Sequence, residues 1–137
     1  MSNNLSEQQL CKLNDEQMYS ILNNVNFGIG LYDVDGYIQF FNEHALKHMN
    51  TSLSDLVGKS VIEVFGQEMG EEYYQRIKQV VSTKKTCEFE DKVCLQNQDQ
   101  WFSSMYSPLY DRQGVLYGVQ IVSYEITQNK KNELALK

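Results

Sequence analysis

The sequence predicts an α+β fold in which a five-stranded antiparallel sheet carries short helices on one face, with one more helix at the N-terminus. Two strand patterns joined by turn residues come early in the chain, and three more come near its end. Helical patterns fill the region between them. Because strands and helices do not alternate regularly, a parallel sheet of βαβ units is not favoured.

The first half of the chain predicts a helix, a hairpin and three short helical segments. Asn14 or Asp15 can cap the first helix, whose apolar face carries Met18, Ile21 and Leu22 and which ends near Asn24. Asn42 is suited to cap a later helix. The predicted elements of this half are the strands 27–32 and 37–41, the helix 43–49, a short helix ending at Leu56, and the helical segment 60–65.

The second half predicts one regular helix followed by three strands. The helix spans residues 71–83, and the strands span residues 86–95, 100–109 and 114–126. Residues 127–137 have a helical character but end without a Gly or Asn cap, which predicts that the protein continues beyond this sequence.

Length, charge and cysteine content restrict the classes of function that the protein could have. The chain has 137 residues, and 12 Lys plus Arg against 18 Asp plus Glu give a net charge of -6, which disfavours binding to nucleic acid or anionic membranes. Its polar N-terminus and the lack of a long apolar segment predict a single cytoplasmic domain. Cys11, Cys87 and Cys94 show no CxxC spacing and are predicted to be reduced thiols.

Ordered motifs make the chain, from about Met18 to Lys131, resemble a PAS sensory domain. No single motif is diagnostic, but their order and spacing together are fairly specific. The motifs are Asp-Val-Asp-Gly-Tyr-Ile at 33–38 with Asn42 and Ala45, Leu-Val-Gly-Lys-Ser at 56–60, Ser-Pro-Leu-Tyr-Asp at 107–111, and Glu-Ile-Thr at 125–127. The resemblance implies an N-terminal arm and helix start at residues 1–17, a sensory domain at 18–127, and the start of a signalling helix or linker at 128–137.

The resemblance also implies a small-molecule pocket between the concave face of the sheet and the middle helices. If Pro108 aligns as in the family, Phe102, Ser104 and Tyr106 point inward, whereas Trp101, Ser103 and Met105 lie on the outer face under the N-terminal helix. In the last strand we expect Gln120 to face the pocket, since its amide can donate and accept hydrogen bonds. The predicted ligand-binding residues are Tyr32, Tyr74, Phe102, Ser104, Tyr106 and Gln120.

The sequence gives less support to a cofactor site or a metal site. The light-sensing branch of the family needs a reactive cysteine where this chain has Val61, and haem-binding members carry a histidine on the helix that here spans 71–85, which has none. These departures disfavour flavin and haem, and the cofactor stays unknown. His44 and His48 could share a metal, but no third ligand completes the set and we expect both to face solvent, opposite Ala45 and Met49.

The leading hypothesis is therefore a cytoplasmic, non-catalytic PAS input domain that binds a small molecule. Glu125, Ile126 and Thr127 would relay the signal to a covalently linked output module such as a kinase, a cyclase or a DNA-binding domain. The alternative is a ligand-free association module whose aromatic residues fill a solid core. In either case the N-terminal helix is predicted to support a homodimer.

Overall fold

The computed structural model describes residues 13–95 and 97–136. Cys11 and most of the predicted N-terminal arm therefore lie outside the described residues. The helices are α1 (Asp15–Asn23), α2 (Glu43–Met49), α3 (Val61–Phe65), α4 (Gln67–Thr83) and α5 (Thr127–Ala135), with a short 3-10 helix at Leu53–Asp55. The strands are β1 (Gly28–Asp33), β2 (Ile38–Phe41), β3 (Cys87–Leu95), β4 (Gln98–Tyr110) and β5 (Leu116–Glu125).

The strands form one antiparallel sheet in the order β2-β1-β5-β4-β3, which confirms the predicted fold class. The core lies between one face of this sheet and the helices that follow β2. Ile38, Val61, Ile77, Val80 and Val119 are fully buried there. Burial of this apolar face is the main force that holds the helices on the sheet.

Asn42 is a fully buried polar side chain that joins three segments of the fold. Its carboxamide oxygen accepts from the backbone N–H of Ile29 and of Ala45, at 3.0 and 3.1 Å. Its Nδ2 donates to the carbonyls of Leu22 and Phe27, at 2.8 and 3.0 Å. The predicted helix cap thus also fixes the end of α1 and the start of β1 against α2.

Helix α4 begins at Gln67, four residues before the predicted start at Glu71. Gly66 ends α3 with a φ of +89°, which a residue with a Cβ rarely adopts, and the chain enters α4 at once. The first turn of α4 then passes very close to α3, because a Cβ at Gly70 would lie 2.6 Å from the Ile62 Cα. This close packing brings Met69 and Tyr73 over the sheet.

The outer face of the sheet differs from the prediction. Helix α1 packs near α2, where the Tyr19 hydroxyl donates to Glu43 at 3.3 Å and the Glu43 N–H donates to the Asn23 carboxamide at 2.6 Å. It does not cover Met105, which stays 38% exposed. Helix α5 packs on this face instead, with the Lys130 ammonium 5.4 Å from the centre of the Trp101 ring. The coverage predicted for the N-terminal helix was wrong because the Asn42 bonds hold the end of α1 at the start of α2.

Candidate functional site

A cavity of about 620 Å³ lies between the concave face of the sheet and the helices α2 to α4. We call it the chamber. Strand alternation places Phe102 and Tyr106 of β4 on the concave face of the sheet, and both line the chamber wall as predicted. Ser104 lies between them, 8% exposed, and its hydroxyl is 3.3 Å from that of Ser123, which also lines the chamber.

Three tyrosines contribute phenol groups to the chamber: Tyr32 from β1, Tyr73 from α4 and Tyr106 from β4. We call them the tyrosine cluster. Edge-to-face contacts hold each ring, with Tyr32 against Phe41 at 5.8 Å, Tyr73 against Phe65 at 5.1 Å and Tyr106 against Phe89 at 5.4 Å between ring centres. The rings have little room to turn, so the positions of the hydroxyl groups are fixed by packing.

Burial controls the protonation of these phenols. Tyr32 and Tyr106 are each 3% exposed. Burial raises the pKa of Tyr32, and the neighbouring Tyr106 and Tyr73 raise it further. Burial likewise raises the pKa of Tyr106, although the neighbouring Arg76 opposes it. Both groups are therefore neutral O–H donors at physiological pH.

An ion pair that sequence reasoning missed lies behind the tyrosine cluster. The Arg76 guanidinium donates to both carboxylate oxygens of Asp91, at 2.8 and 2.6 Å, and to Glu72 at 2.9 Å. Its central carbon lies 4.3 Å from the centre of the Phe89 ring. Burial lowers the pKa of Arg76, but its hydrogen bonds to Asp91 and the proximity of Tyr106 outweigh this effect and raise the pKa overall. Arg76 therefore stays charged although it is buried.

Gln120 does not face the chamber, so the predicted orientation was wrong. In the β4–β5 pairing Gln120 lies opposite Ser107, whereas Ile121 lies opposite Tyr106. Directly opposite residues of an antiparallel pair share a face, so Ile121 lines the chamber and Gln120 lies on the outer face. Alternation alone gives two possible faces for β5, and only the register with β4 selects one of them.

Tyr74 also lies outside the chamber lining. It packs against the β1–β2 turn, where a Cβ at Gly36 would come within 3.0 Å of the Tyr74 ring. Its neighbour Tyr73 takes the position expected for Tyr74. Helical spacing alone does not separate the two residues, because Tyr73 and Tyr74 lie four and three residues before the fully buried Ile77.

The chamber opening carries polar groups, including both histidines. His44 and His48 line it, with 4.8 Å between their ring centres; His48 is exposed to solvent as expected, whereas His44 is half-buried. Burial lowers the pKa of His44, as do His48 and Lys47, while Glu125 partly opposes them. Among residues 13–95 and 97–136, no group of three or more His, Cys, Asp or Glu side chains could hold a metal ion.

The predicted relay residues connect the sheet to α5. The Ile126 N–H donates to the Trp101 carbonyl at 2.7 Å, and the Trp101 N–H donates to the Thr127 hydroxyl at 3.0 Å. The Lys130 ammonium lies 2.7 Å from the Glu90 carboxylate. Helix α5 thus starts in direct contact with β4 and is held against β3.

No helix of the described segments is both long enough and apolar enough to cross a membrane. Cys87 and Cys94 are free thiols. Cys87 lies on the inward face of β3, where Gln79 Nε2 is 3.4 Å from its sulfur, and Cys94 is exposed.

Solved structures share this fold. The PAS domain of BvgS from Bordetella pertussis matches with a TM-score of 0.73 at 18% identity, over 88% of this chain and 92% of that one. A sensory box sensor histidine kinase from Vibrio cholerae matches with a TM-score of 0.64 at 16% identity, over 80% and 89%. At these identities the likeness shows the fold alone.

The regulator VqmA also shares the fold. A structure of the Vibrio cholerae VqmA dimer, described as a LuxR-type receptor, matches with a TM-score of 0.75 at 17% identity, over 85% of this chain and 53% of that one. A structure described as VqmA bound to DPO matches with a TM-score of 0.72 at 15% identity, over 80% and 57%. This chain thus spans about half the length of the VqmA chains.

A comparison with curated protein sequences finds no match. The family model described as the PAS fold, however, matches residues 22–131. This span includes every strand of the sheet, the chamber and the start of α5. The chain therefore belongs to the PAS fold family.

Proposed function

We propose that this PAS sensor domain binds a small organic molecule in the chamber and relays its presence through α5 to an output module. The observation that carries the proposal is a chamber of about 620 Å³ whose wall combines apolar side chains with a few fixed polar groups. Cavities of this size and character are typical of small-molecule sites. The structural relative VqmA, described as bound to DPO, supports this use of the fold.

The relay would run through β3, because two adjacent acids of this strand lie on opposite faces of the sheet. Asp91 faces inward and binds Arg76, whereas Glu90 faces outward and binds Lys130 on α5. A ligand that moves Arg76 or Asp91 would shift Glu90 and with it the position of α5. Such a ligand acts only if it has different affinities for the two positions.

The domain would work in the cytoplasm as a non-catalytic input unit. Structural neighbours in a sensor histidine kinase and in a LuxR-type regulator support a kinase or a DNA-binding domain as the output module. Ile126 and Thr127 would form the junction, since their bonds to Trp101 hold the first turn of α5 to the sheet.

Filling the chamber tests ligand binding. Ala45 lines the chamber from α2, and Ala45→Phe places a ring in the space that a ligand would use. Native mass spectrometry of the freshly purified protein should show a bound small molecule that Ala45→Phe lacks. The matched control Ala135→Phe, on an exposed position of α5, should retain the molecule.

The opposite outcome would favour the ligand-free association module. In that case the wild-type protein carries no added mass, and thermal shifts with a panel of metabolites show no stabilisation. Ala45→Leu serves as a second variant if the larger ring prevents folding, since it fills less of the chamber.

A homodimer through α1 is the accompanying proposal. Met18 and Ile21 are 49% and 52% exposed on this helix, an arrangement that a second copy could cover. The structural relative described as a VqmA dimer supports association of this fold. The double variant Met18→Glu/Ile21→Glu should halve the mass measured by light scattering, whereas Gln17→Glu on the same helix should leave it unchanged. A dimeric mass in the double variant would contradict this role for α1.

A further inference from the structure

The chamber has polar groups of two kinds, at two places. Carboxylates and a lysine mark its exposed opening, at Asp55, Lys59, Glu63 and Glu125. The tyrosine cluster provides uncharged hydroxyl groups on the buried wall. The polar groups at the opening and on the buried wall therefore indicate which chemical groups a ligand would carry.

The hydroxyl group of Tyr32 is a hydrogen-bond donor on the buried wall of the chamber. Tyr32 is 3% exposed, lines the chamber, and has no side-chain hydrogen bond to the described part of the chain. Because this O–H group faces the chamber, it can donate to a bound molecule without first breaking a hydrogen bond of the protein. A bound molecule therefore gains a hydrogen bond by placing an acceptor atom at Tyr32.

Arg76 is not available to bind an anionic ligand. Two of its donor nitrogens already bind Asp91, and one of them also binds Glu72. The Arg76 side chain is 7% exposed and is not part of the chamber lining. Its charge is thus matched within the protein, and a ligand carboxylate would have to displace Asp91.

The remaining charges also oppose an anion. Apart from Asp91, three carboxylates line the chamber, namely Asp55, Glu63 and Glu125, against one lysine, Lys59. A cation beside the tyrosine cluster would lose its hydration without gaining an opposite charge, because the Asp91 carboxylate is already bound to Arg76 and the phenols are neutral. Both signs of charge are therefore disfavoured at the buried wall.

The shape of the lining favours a flat molecule. Phe41, Phe65 and Phe102 line the chamber together with the three tyrosine rings. Aromatic faces and edges bind planar rings with a geometric preference that aliphatic side chains lack. Met49 and Met69 add adaptable apolar surface.

We propose that the chamber binds a neutral, planar molecule whose carbonyl oxygen or ring nitrogen accepts a hydrogen bond from the Tyr32 hydroxyl. This inference rests on the proposed function, because it assigns the chemistry of the ligand that the chamber would hold. The hydroxyl of Tyr106, equally buried, provides a second donor to the same or an adjacent acceptor. Since burial raises the pKa of both phenols, both donors persist over the physiological pH range.

A matched set of probes tests the inference. Naphthamide, naphthoate, naphthylmethylammonium and methylnaphthalene, all substituted at the same ring carbon, share one ring system and differ only in the polar group. Dissociation constants are measured by NMR titration of the full chain. Naphthamide should bind about tenfold more tightly than the carboxylate and the ammonium compound.

Tyr32→Phe then identifies the donor. The variant should weaken naphthamide binding about five- to tenfold and leave methylnaphthalene binding unchanged, because only the amide has an acceptor. Tyr74→Phe is the control, since this neighbour of Tyr73 lies outside the chamber lining and should change neither value.

The outcomes separate this inference from the proposed function. If methylnaphthalene and naphthamide bind equally, or if Tyr32→Phe leaves naphthamide unaffected, the chamber binds small molecules but the assigned acceptor contact is wrong. Tighter binding of naphthoate would also overturn the inference. If none of the four compounds binds and no molecule co-purifies, both the inference and the proposed function fail.

Discussion

Asn42→Ala is expected to lower the free energy of unfolding by about 3 kcal/mol or more, because it removes all four hydrogen bonds of a fully buried side chain at once. The backbone N–H of Ile29 and the carbonyls of Leu22 and Phe27 would lose their side-chain partner. Urea unfolding followed by circular dichroism measures the change. Asn26→Ala, an exposed asparagine in the same connection, should change stability by less than about 0.5 kcal/mol.

A second variant at this position separates the contribution of the hydrogen bonds that Asn42 donates from that of the bonds it accepts. Asn42→Asp keeps the oxygen that accepts from Ile29 and Ala45 but turns a carboxylate oxygen toward the two carbonyls. Burial and these carbonyls should raise the pKa of the new carboxyl group in the folded state. Stability should therefore fall as the pH rises through that pKa and recover in mild acid. A loss below about 1 kcal/mol for Asn42→Ala would contradict the role assigned to this side chain.

The ion pair of Arg76 and Asp91 should show strong coupling in a double-mutant cycle. We expect Arg76→Met alone to cost about 2 kcal/mol, because it leaves the Asp91 carboxylate, 21% exposed, without its bidentate partner. The figure is below the value for a fully buried pair because solvent reaches Asp91. Arg76→Met combined with Asp91→Leu should recover a large part of the loss, which gives a coupling of about 1.5 kcal/mol.

A surface pair provides the matched control for this cycle. Lys92 and Asp99 are 3.9 Å apart on neighbouring strands, and their side chains are 54% and 61% exposed. Their coupling should be below about 0.5 kcal/mol and should vanish at high salt. If the Arg76–Asp91 coupling is as small as that of the surface pair, the ion pair does not fix α4 on the sheet.

The order of the helices and strands could be predicted from the sequence because the sequence signals for each element are local. Asn42 stands directly before a helical pattern, and its capping role is confirmed by its bond to the Ala45 N–H. The alternation along β4, combined with the family alignment of Pro108, correctly placed Phe102 and Tyr106 on the chamber side. Such signals arise from neighbours in the chain, so one sequence is enough to read them.

The errors concern contacts between distant segments. The orientation of Gln120 depends on the register between β4 and β5, which includes an irregularity next to Leu109 and Tyr110. Asp91 follows Glu88 and Glu90 in an acidic run that gives no sign of an inward carboxylate, and only its pairing with Arg76, fifteen residues earlier, explains its inward position. Packing against α3 and the sheet likewise determines which face of α4 points inward, and it places Tyr73 rather than Tyr74 in the chamber.

Intermolecular nuclear Overhauser effects identify which face of the sheet contacts the ligand. With naphthamide or the co-purified molecule bound, we expect contacts from its ring protons to the methyl groups of Ile121 and Met49, which line the chamber. Val122 and Met105 lie opposite each other on the other face and should show none. Contacts to Val122 and Met105, with none to Ile121 and Met49, would show that the ligand binds the outer face of the sheet and not the chamber.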